Sequence, residues 1–483
     1  MIIDNAKSDW LKEQTKVRPD KIFIIGEKEH YTFSEVYKSV IAFTRFLSGK
    51  IKRHSYVPLL CENNPDFIVA TFAIWQTGAV PVLINHKLKQ HEVTEILRQF
   101  EYDYILLHSG LTEKFSLQES KKIVFPVHRD VEIEETYDSR SEATAVVLFT
   151  SGSRGKPKGV KISFENLWES VFSFDSAFEL SEKDKLLASL PFYHIGGFSI
   201  IVRSILSGAQ IIFPANLKTG NILRSIKKHK PTFISLVPTM LKRLTETGLN
   251  HYSGLKNIFV GGGPSAQNIL ISAINKQLPI TLVYGATETS SMIAEKKIDN
   301  NSAGQSFVVP MRNVKITIVD EQRNELPAYS KGEIVVTAPQ VAEGYLNNPD
   351  STAEKFEGKS FYTGDYGYTD NTGKLFILGR KDDLIISGGE NINPAEIEYA
   401  LTSYPEIEDA YVFGEANEEW GESLVAAIKI SDDSKLNIYE LKEYLRKKIA
   451  PFKIPKKFFF VESIPRTQLG KVNKPELIKK INS

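Results

Sequence analysis

Residues Thr150 to Gly159, reading T-S-G-S-R-G-K-P-K-G, carry the chemistry of an anion loop. Gly152, Gly155 and Gly159 let backbone N–H groups turn toward an anion. The hydroxyls of Thr150, Ser151 and Ser153 can donate to its oxygens, and Arg154, Lys156 and Lys158 can neutralise it. A solvated basic turn has the same composition, so on these residues alone both readings stand. The pattern of P-loop nucleotidases requires glycine at 157, where Pro157 fixes φ and removes an N–H. The kinase glycine-rich loop also fails, because Ser153 and Arg154 follow Gly152.

Two further stretches place glycine at the ends of apolar runs. Ile258-Phe259-Val260 leads into Gly261-Gly262-Gly263-Pro264, and Leu282-Val283 leads into Tyr284-Gly285-Ala286-Thr287-Glu288. Open α/β sheets bind ligands at such strand ends. Gly261 to Ala266 satisfies the dinucleotide pattern G-x-G-x-x-A, but Pro264 interrupts it and no clear ribose-binding acid follows. His194 lies among aromatics and glycines in the expected loop Phe192–Gly197. Arg203 lies in an apolar helical stretch from Ser199, where a guanidinium is costly to bury without an anion. That anion is either a ligand carboxylate or an Asp or Glu of the chain.

The elements that must position these groups alternate between short apolar runs and amphipathic segments. Val80–Ile84, Tyr104–Leu107, Ile123–Phe125, Ala145–Phe149 and Leu186–Leu190 read as strands. Helices are expected after Thr32, from Asp66 to Trp75 and from Ser163. Such alternation predicts an α/β fold with parallel sheet. Beyond Gly304 the runs Val314–Val319, Gly332–Thr337 and Leu375–Leu378 are β-rich, and Gly379–Asp383 reads as a charged break. We therefore expect a large domain over 1–379, with α/β and β-rich subdomains, and a small α+β domain over 380–483.

Sixty Lys and Arg against fifty-nine Asp and Glu leave +1, so no overall field points to nucleic acid. One cysteine excludes an intramolecular disulfide and any cysteine-based zinc site, and suits a reducing cytoplasm. Met1–Asn5 lacks the pattern of a signal peptide. The apolar window Phe67–Ile84 contains Gln76, Gly78 and Pro81 and reads as helix, stop and strand, not as a membrane span.

The 150–159 loop, Tyr284–Glu288, Tyr362-Thr363-Gly364-Asp365, Gly379–Asp383 and Pro465–Lys471 occur together and in order. That set resembles the adenylate-forming superfamily of acyl-CoA synthetases, nonribosomal peptide adenylation domains and luciferases. Leu190–Gly197, Arg203 and Ile234–Thr239 are most similar to the branch of o-succinylbenzoate–CoA ligases of menaquinone synthesis. Aryl-CoA ligases share much of that pattern. A stand-alone amino-acid adenylation domain would need an aspartate in 192–199, and none is present.

The resemblance implies a cytoplasmic, AMP-forming ligase that uses ATP, Mg²⁺ and CoA, and it leaves a homodimer open. It implies that Thr150, Ser151, Gly152, Ser153 and Lys158 hold the β/γ-phosphates. The family carries threonine where Ser153 and Arg154 stand, so Arg154 departs from it. Thr287 would meet the α-phosphate and Glu288 the Mg²⁺. Tyr284 and Gly285 would face adenine opposite Gly262, Gly263 and Pro264, with Asp365 and Arg380 on the ribose. Lys471 would bridge the attacking carboxylate and the α-phosphate. His194 and Arg203 would serve the acyl substrate. Asp382 would be the hinge of domain alternation, with Gly388, Gly389 and Trp420 toward CoA.

Overall fold

The computed structural model describes residues 3, 6, 8–126, 143–150, 157–263, 265, 267–299, 307–380, 385–387, 390–392, 394–417, 421–431, 436–467, 470 and 472–482. One sheet runs in the order Gly344–Tyr345, Lys158–Ser163, Thr144–Thr150, Val80–Leu83, Tyr56–Leu60, Ile105–His108, Lys122–Phe125. Its strands from Thr144–Thr150 to Lys122–Phe125 are parallel. Lys158–Ser163 returns antiparallel against Thr144–Thr150, with Thr150 opposite Lys158. The glycine-rich stretch thus falls, in sequence, between two antiparallel strands. The second of them was not foreseen in the sequence, where the loop reads as running straight to the helix at Ser163.

The second sheet has His30–Thr32 as an antiparallel edge, followed by the parallel strands Ile22–Ile25, Gln210–Ile212, Lys185–Leu187, Phe233–Leu236, Asn257–Val260 and Ile280–Ala286. It continues antiparallel through Ser291–Lys297, Phe307–Pro310, Leu375–Arg380, Ser360–Thr369, Gly332–Thr337 and Lys315–Val319. The β-rich segment expected beyond Gly304 therefore extends the parallel sheet through Ser291–Lys297.

Helices Pro65–Gln76, Phe164–Phe178 and Ile195–Ser207 pack between these sheets. One continuous core joins Leu59 and Val146 of the first sheet to Leu186 and Phe233 of the second. Trp75 anchors it, with ring centroids 5.0 Å from Phe164 and 6.3 Å from Phe198. Each helix start has a local cause. The Asn64 side-chain Oδ1 accepts from the Phe67 N–H at 3.1 Å ahead of Pro65, and Ser163 and Asn166 form a reciprocal capping box.

The C-terminal residues form their own sheet, in which Gly421–Ile430 pairs with Ile407–Asn417, Ile385–Ser387 and Lys457–Phe460. Helices Pro394–Thr402 and Ile438–Arg446 close a separate core through Ile397, Leu401, Leu441 and Leu445. This unit meets the larger one where the Ser403 hydroxyl donates to Gln267 Oε1 at 3.1 Å and Lys242 lies 3.9 Å from Glu408. Among the described residues no helix is long and apolar enough to cross a membrane.

Candidate active site

Strands Lys185–Leu187, Phe233–Leu236, Asn257–Val260 and Ile280–Ala286 are parallel neighbours, so their carboxyl ends share one edge. Ser189–His194, Val237–Thr239, Gly261–Gly263 and Thr287–Glu288 follow them in turn. This is the edge at which such sheets take ligands. Gly470 also reaches it: a Cβ built on Gly470 would lie 3.5 Å from Thr239 Oγ1. Arg466 holds that loop, pairing with Asp409 at 2.7 Å and donating to the Gly470 carbonyl at 3.0 Å. Lys471 itself lies outside the described residues, as do Ser151, Gly152, Ser153, Arg154, Pro264, Asp382, Gly388, Gly389 and Trp420.

On one flank, Tyr284, Asp365 and Arg380 come together. The Tyr284 hydroxyl donates to Asp365 Oδ2 at 2.6 Å, and Arg380 Nε lies 3.0 Å from Asp365 Oδ1. Thr363 supports both, accepting from the Asp365 N–H at 2.9 Å and, through its carbonyl, from Arg380 Nη1 at 2.7 Å. Burial, then the Asp365 charge, raises the Tyr284 phenol well above its ordinary pKa, so it stays a donor. Arg380 ends the strand Leu375–Arg380, in register with Asp365, so the charged break expected from Gly379 starts later than the sequence suggests. The strand supplies the rigidity that lines the guanidinium up with the carboxylate.

Tyr284, Gly285 and Ala286 likewise belong to a strand, Ile280–Ala286, and not to the glycine turn expected there. Gly285 permits this because a Cβ there would sit 2.0 Å from the Ser291 carbonyl oxygen. Its absence lets the chain fold back immediately after Thr287–Thr289. Glu288, in that short 3-10 turn, accepts from the Tyr345 hydroxyl at 2.9 Å. Burial, then the Glu288 charge, keeps the Tyr345 phenol protonated. Thr150 donates to the Lys158 carbonyl at 3.4 Å, and the Lys158 ammonium lies 5.0 Å from the Tyr345 ring centroid. Gly262 and Gly263 are exposed in the turn after Asn257–Val260, with open space where a Gly263 Cβ would stand.

On the other flank, His194 is the N-cap of Ile195–Ser207. The strand expected over Leu186–Leu190 ends at Leu187, and the expected loop to Gly197 becomes helix from Ile195. Gly197 makes this fold possible, since a Cβ there would lie 2.1 Å from the Pro191 carbonyl oxygen. Asn63 clamps the same turn from the first sheet: its amide donates to the Leu190 carbonyl at 2.7 Å and accepts from the Phe192 N–H at 3.0 Å. No spacing in the sequence pointed to Asn63.

Arg203, two turns into that helix, is 2% exposed. It donates to the Ser291 hydroxyl at 3.2 Å and stacks 4.1 Å from the Phe174 ring centroid. Among the described residues its Nε finds no hydrogen-bond partner and no carboxylate lies within ion-pairing distance. Burial alone pushes its pKa down to about 9, leaving a cation at neutral pH. The internal salt bridge that the sequence left open is absent among the described residues. Ser290 and Ser291 hold positive φ of 52° and 113° at the turn leaving Glu288. Such strain in residues with a Cβ gathers at functional sites. Here it aims Ser291 at Arg203, three positions from Glu288.

The family model described as AMP-binding enzyme matches residues 11–346, and that of the AMP-binding enzyme C-terminal domain matches 396–471. The chain is 32% identical over 479 residues to a 2-succinylbenzoate–CoA ligase of Bacillus cereus, covering 97% of each. It is 33% identical over 483 residues to one of Bacillus velezensis, again covering 97% of each. Among solved structures, o-succinylbenzoate CoA synthetase from Bacillus subtilis in complex with the acyl-adenylate intermediate OSB-AMP has a TM-score of 0.87 at 30% identity, covering 97% of each chain. The same enzyme with ATP and magnesium ion has a TM-score of 0.86 at 30% identity, covering 98% of this chain and 99% of that one.

Proposed function

The chain belongs to the AMP-binding enzyme family, and from that premise we propose that it is an ATP-dependent acid–thiol ligase whose acid is o-succinylbenzoate, serving menaquinone biosynthesis. A substrate carboxylate oxygen attacks the α-phosphorus of ATP, forming the acyl–phosphate bond as the α–β bridge breaks and pyrophosphate leaves. The CoA thiol, losing its proton, then attacks the acyl carbon and AMP departs with the bonding electrons. Such chemistry is carried by positioning and charge neutralisation.

In this reading Thr150, Ser151, Gly152, Ser153 and Lys158 hold the leaving phosphates, and Thr287 donates to the α-phosphate. Tyr284, Gly285 and Gly262–Pro264 bracket adenine, while Asp365 and Arg380 meet the ribose. Glu288 suits the Mg²⁺ that arrives with ATP. Its carboxylate has no cation within ion-pairing distance among the described residues, and Mg²⁺ prefers one or two carboxylates with phosphate oxygens and waters. When bound, the ion offsets charge on the phosphates. Lys471 does the same between carboxylate and α-phosphate. His194 stands beside the acyl carboxylate. The small domain turns about Asp382 to bring Gly388, Gly389 and Trp420 toward CoA. The reading puts the enzyme in the cytoplasm, where ATP and CoA are made available.

The observation that carries the choice of acid is Arg203. A buried guanidinium that, among the described residues, has an unsatisfied Nε and no carboxylate beside it suits the second carboxylate of a diacid. The test is CoA-dependent AMP release across a panel of acids that includes o-succinylbenzoate and benzoate. o-Succinylbenzoate should lead by about four orders of magnitude in kcat/KM, the scale of discrimination when a site's buried polar group is left unpaired. Preference for benzoate would overturn the diacid reading and leave the adenylating chemistry in place.

A further inference from the structure

The segment Ala342–Leu346 ties together two parts of the site that are far apart in sequence. Its Ala342 N–H donates to the Glu288 carbonyl at 2.8 Å, and its Leu346 N–H donates to the Gly159 carbonyl at 2.7 Å. Between them, Gly344–Tyr345 pairs with the strand leaving the phosphate loop, Tyr345 opposite Val160. Tyr345 is 7% exposed, packs edge-on against Phe356 at 5.3 Å, and donates its N–H to Thr352 Oγ1 at 3.0 Å. A ring held on three sides has little freedom, yet its hydroxyl ends on Glu288 Oε1 and its face carries the Lys158 ammonium.

We propose that Tyr345 is a positioning residue: it aims the Glu288 carboxylate and sets it in register with Lys158, so that metal and polyphosphate are met in one geometry. This rests on Glu288 as the Mg²⁺-facing carboxylate. A tyrosine that only filled the core would leave its hydroxyl without consequence, and phenylalanine would replace it silently. Partners that orient a ligating carboxylate are commonly worth 10–100-fold in metal affinity.

The test is calorimetric binding of α,β-methylene-ATP to the full-length enzyme, in excess Mg²⁺ and in EDTA, for wild type, Tyr345→Phe, Glu288→Gln and the double variant. In Tyr345→Phe the gain in affinity conferred by Mg²⁺ should shrink by roughly 10–100-fold. Affinity in EDTA should stay within about twofold, and the double variant should be no weaker than Glu288→Gln alone, as expected when two residues act through one interaction. A full Mg²⁺-dependent gain in Tyr345→Phe, with the gain lost in Glu288→Gln, overturns the inference and spares the role of Glu288. An equal loss with and without Mg²⁺ overturns it too, assigning the ring to the phosphate loop alone. If Glu288→Gln keeps the whole gain, the metal reading of Glu288 fails and the inference falls with it.

Discussion

The two flanks of the site are built on opposite electrostatic plans. On the Asp365 side every charge is answered within the chain: Arg380 and Tyr284 hold the carboxylate, and Thr363 holds both Asp365 and Arg380. On the Arg203 side a cation is buried with a serine and an aromatic face, and among the described residues Nε is left without a partner. The first flank is finished before any ligand arrives, so it contributes rigidity and shape. The second is unfinished, and a ligand anion would relieve its desolvation. A saturated flank suits the nucleotide that every turnover uses, and an unsaturated one suits selection among acids.

The largest expected effect tests whether the two flanks are joined only when the C-terminal loop is in place. Lys471→Ala should cut adenylate formation by about 10³-fold, the upper range for loss of a preorganised charge-stabilising donor. Thioester formation from preformed acyl-adenylate should remain largely intact. Asp382→Pro should show the reverse bias. Single-turnover assays of each half-reaction check both, and equal loss of the two by Lys471→Ala contradicts its assigned role.

Next comes the contrast itself. Arg203→Met should lower kcat/KM for o-succinylbenzoate by about 10²-fold while leaving benzoate nearly unchanged. The same change should leave the ligand-free enzyme as stable or more so, by up to roughly 4 kcal/mol, because a buried unpaired cation is replaced by packing. Denaturant midpoints read this, and a marked destabilisation would mean the guanidinium is answered inside the chain after all. Asp365→Asn should do the opposite on the other flank. It should weaken ATP binding about tenfold and destabilise the free enzyme by no more than about 1 kcal/mol, since Arg380 is half exposed and its pairing is screened.

A last effect, on stability and not on turnover, concerns the support behind His194. His86 is buried beside Tyr193, 5.4 Å between ring centroids, with its Nδ1 3.1 Å from the Cys61 carbonyl oxygen. Burial, then Lys87, lowers its pKa to about 4 despite that carbonyl, from the ordinary 6.5. The unfolded chain therefore takes up the proton first, so the stability tied to neutral His86 is full above pH ~6.5 and is lost as pH falls toward 4. The loss should be at most on the order of 3 kcal/mol. His86→Gln should flatten that part of the pH–stability curve, as urea midpoints at pH ~7.5 and ~5 would register.

Much of the framework was written locally. Ser163 and Asn166, or Asn64 ahead of Pro65, start helices through bonds spanning three residues, and short apolar runs mark parallel strands wherever they fall. The order of the five motifs was equally open to reading in one dimension. What the sequence could not express was any choice made by a distant partner. Tyr284–Ala286 reads as a glycine turn until Gly285 meets the Ser291 carbonyl, and Phe192–Gly197 reads as loop until Gly197 meets Pro191. Asn63 and Tyr345 carry no pattern at all, because each is defined by a group more than fifty positions away. Arg203 shows the division most plainly. Its apolar helix announced a cation in need of an anion, but whether the chain supplies that anion depends on every carboxylate that folding brings near. Among the described residues, none comes within ion-pairing reach.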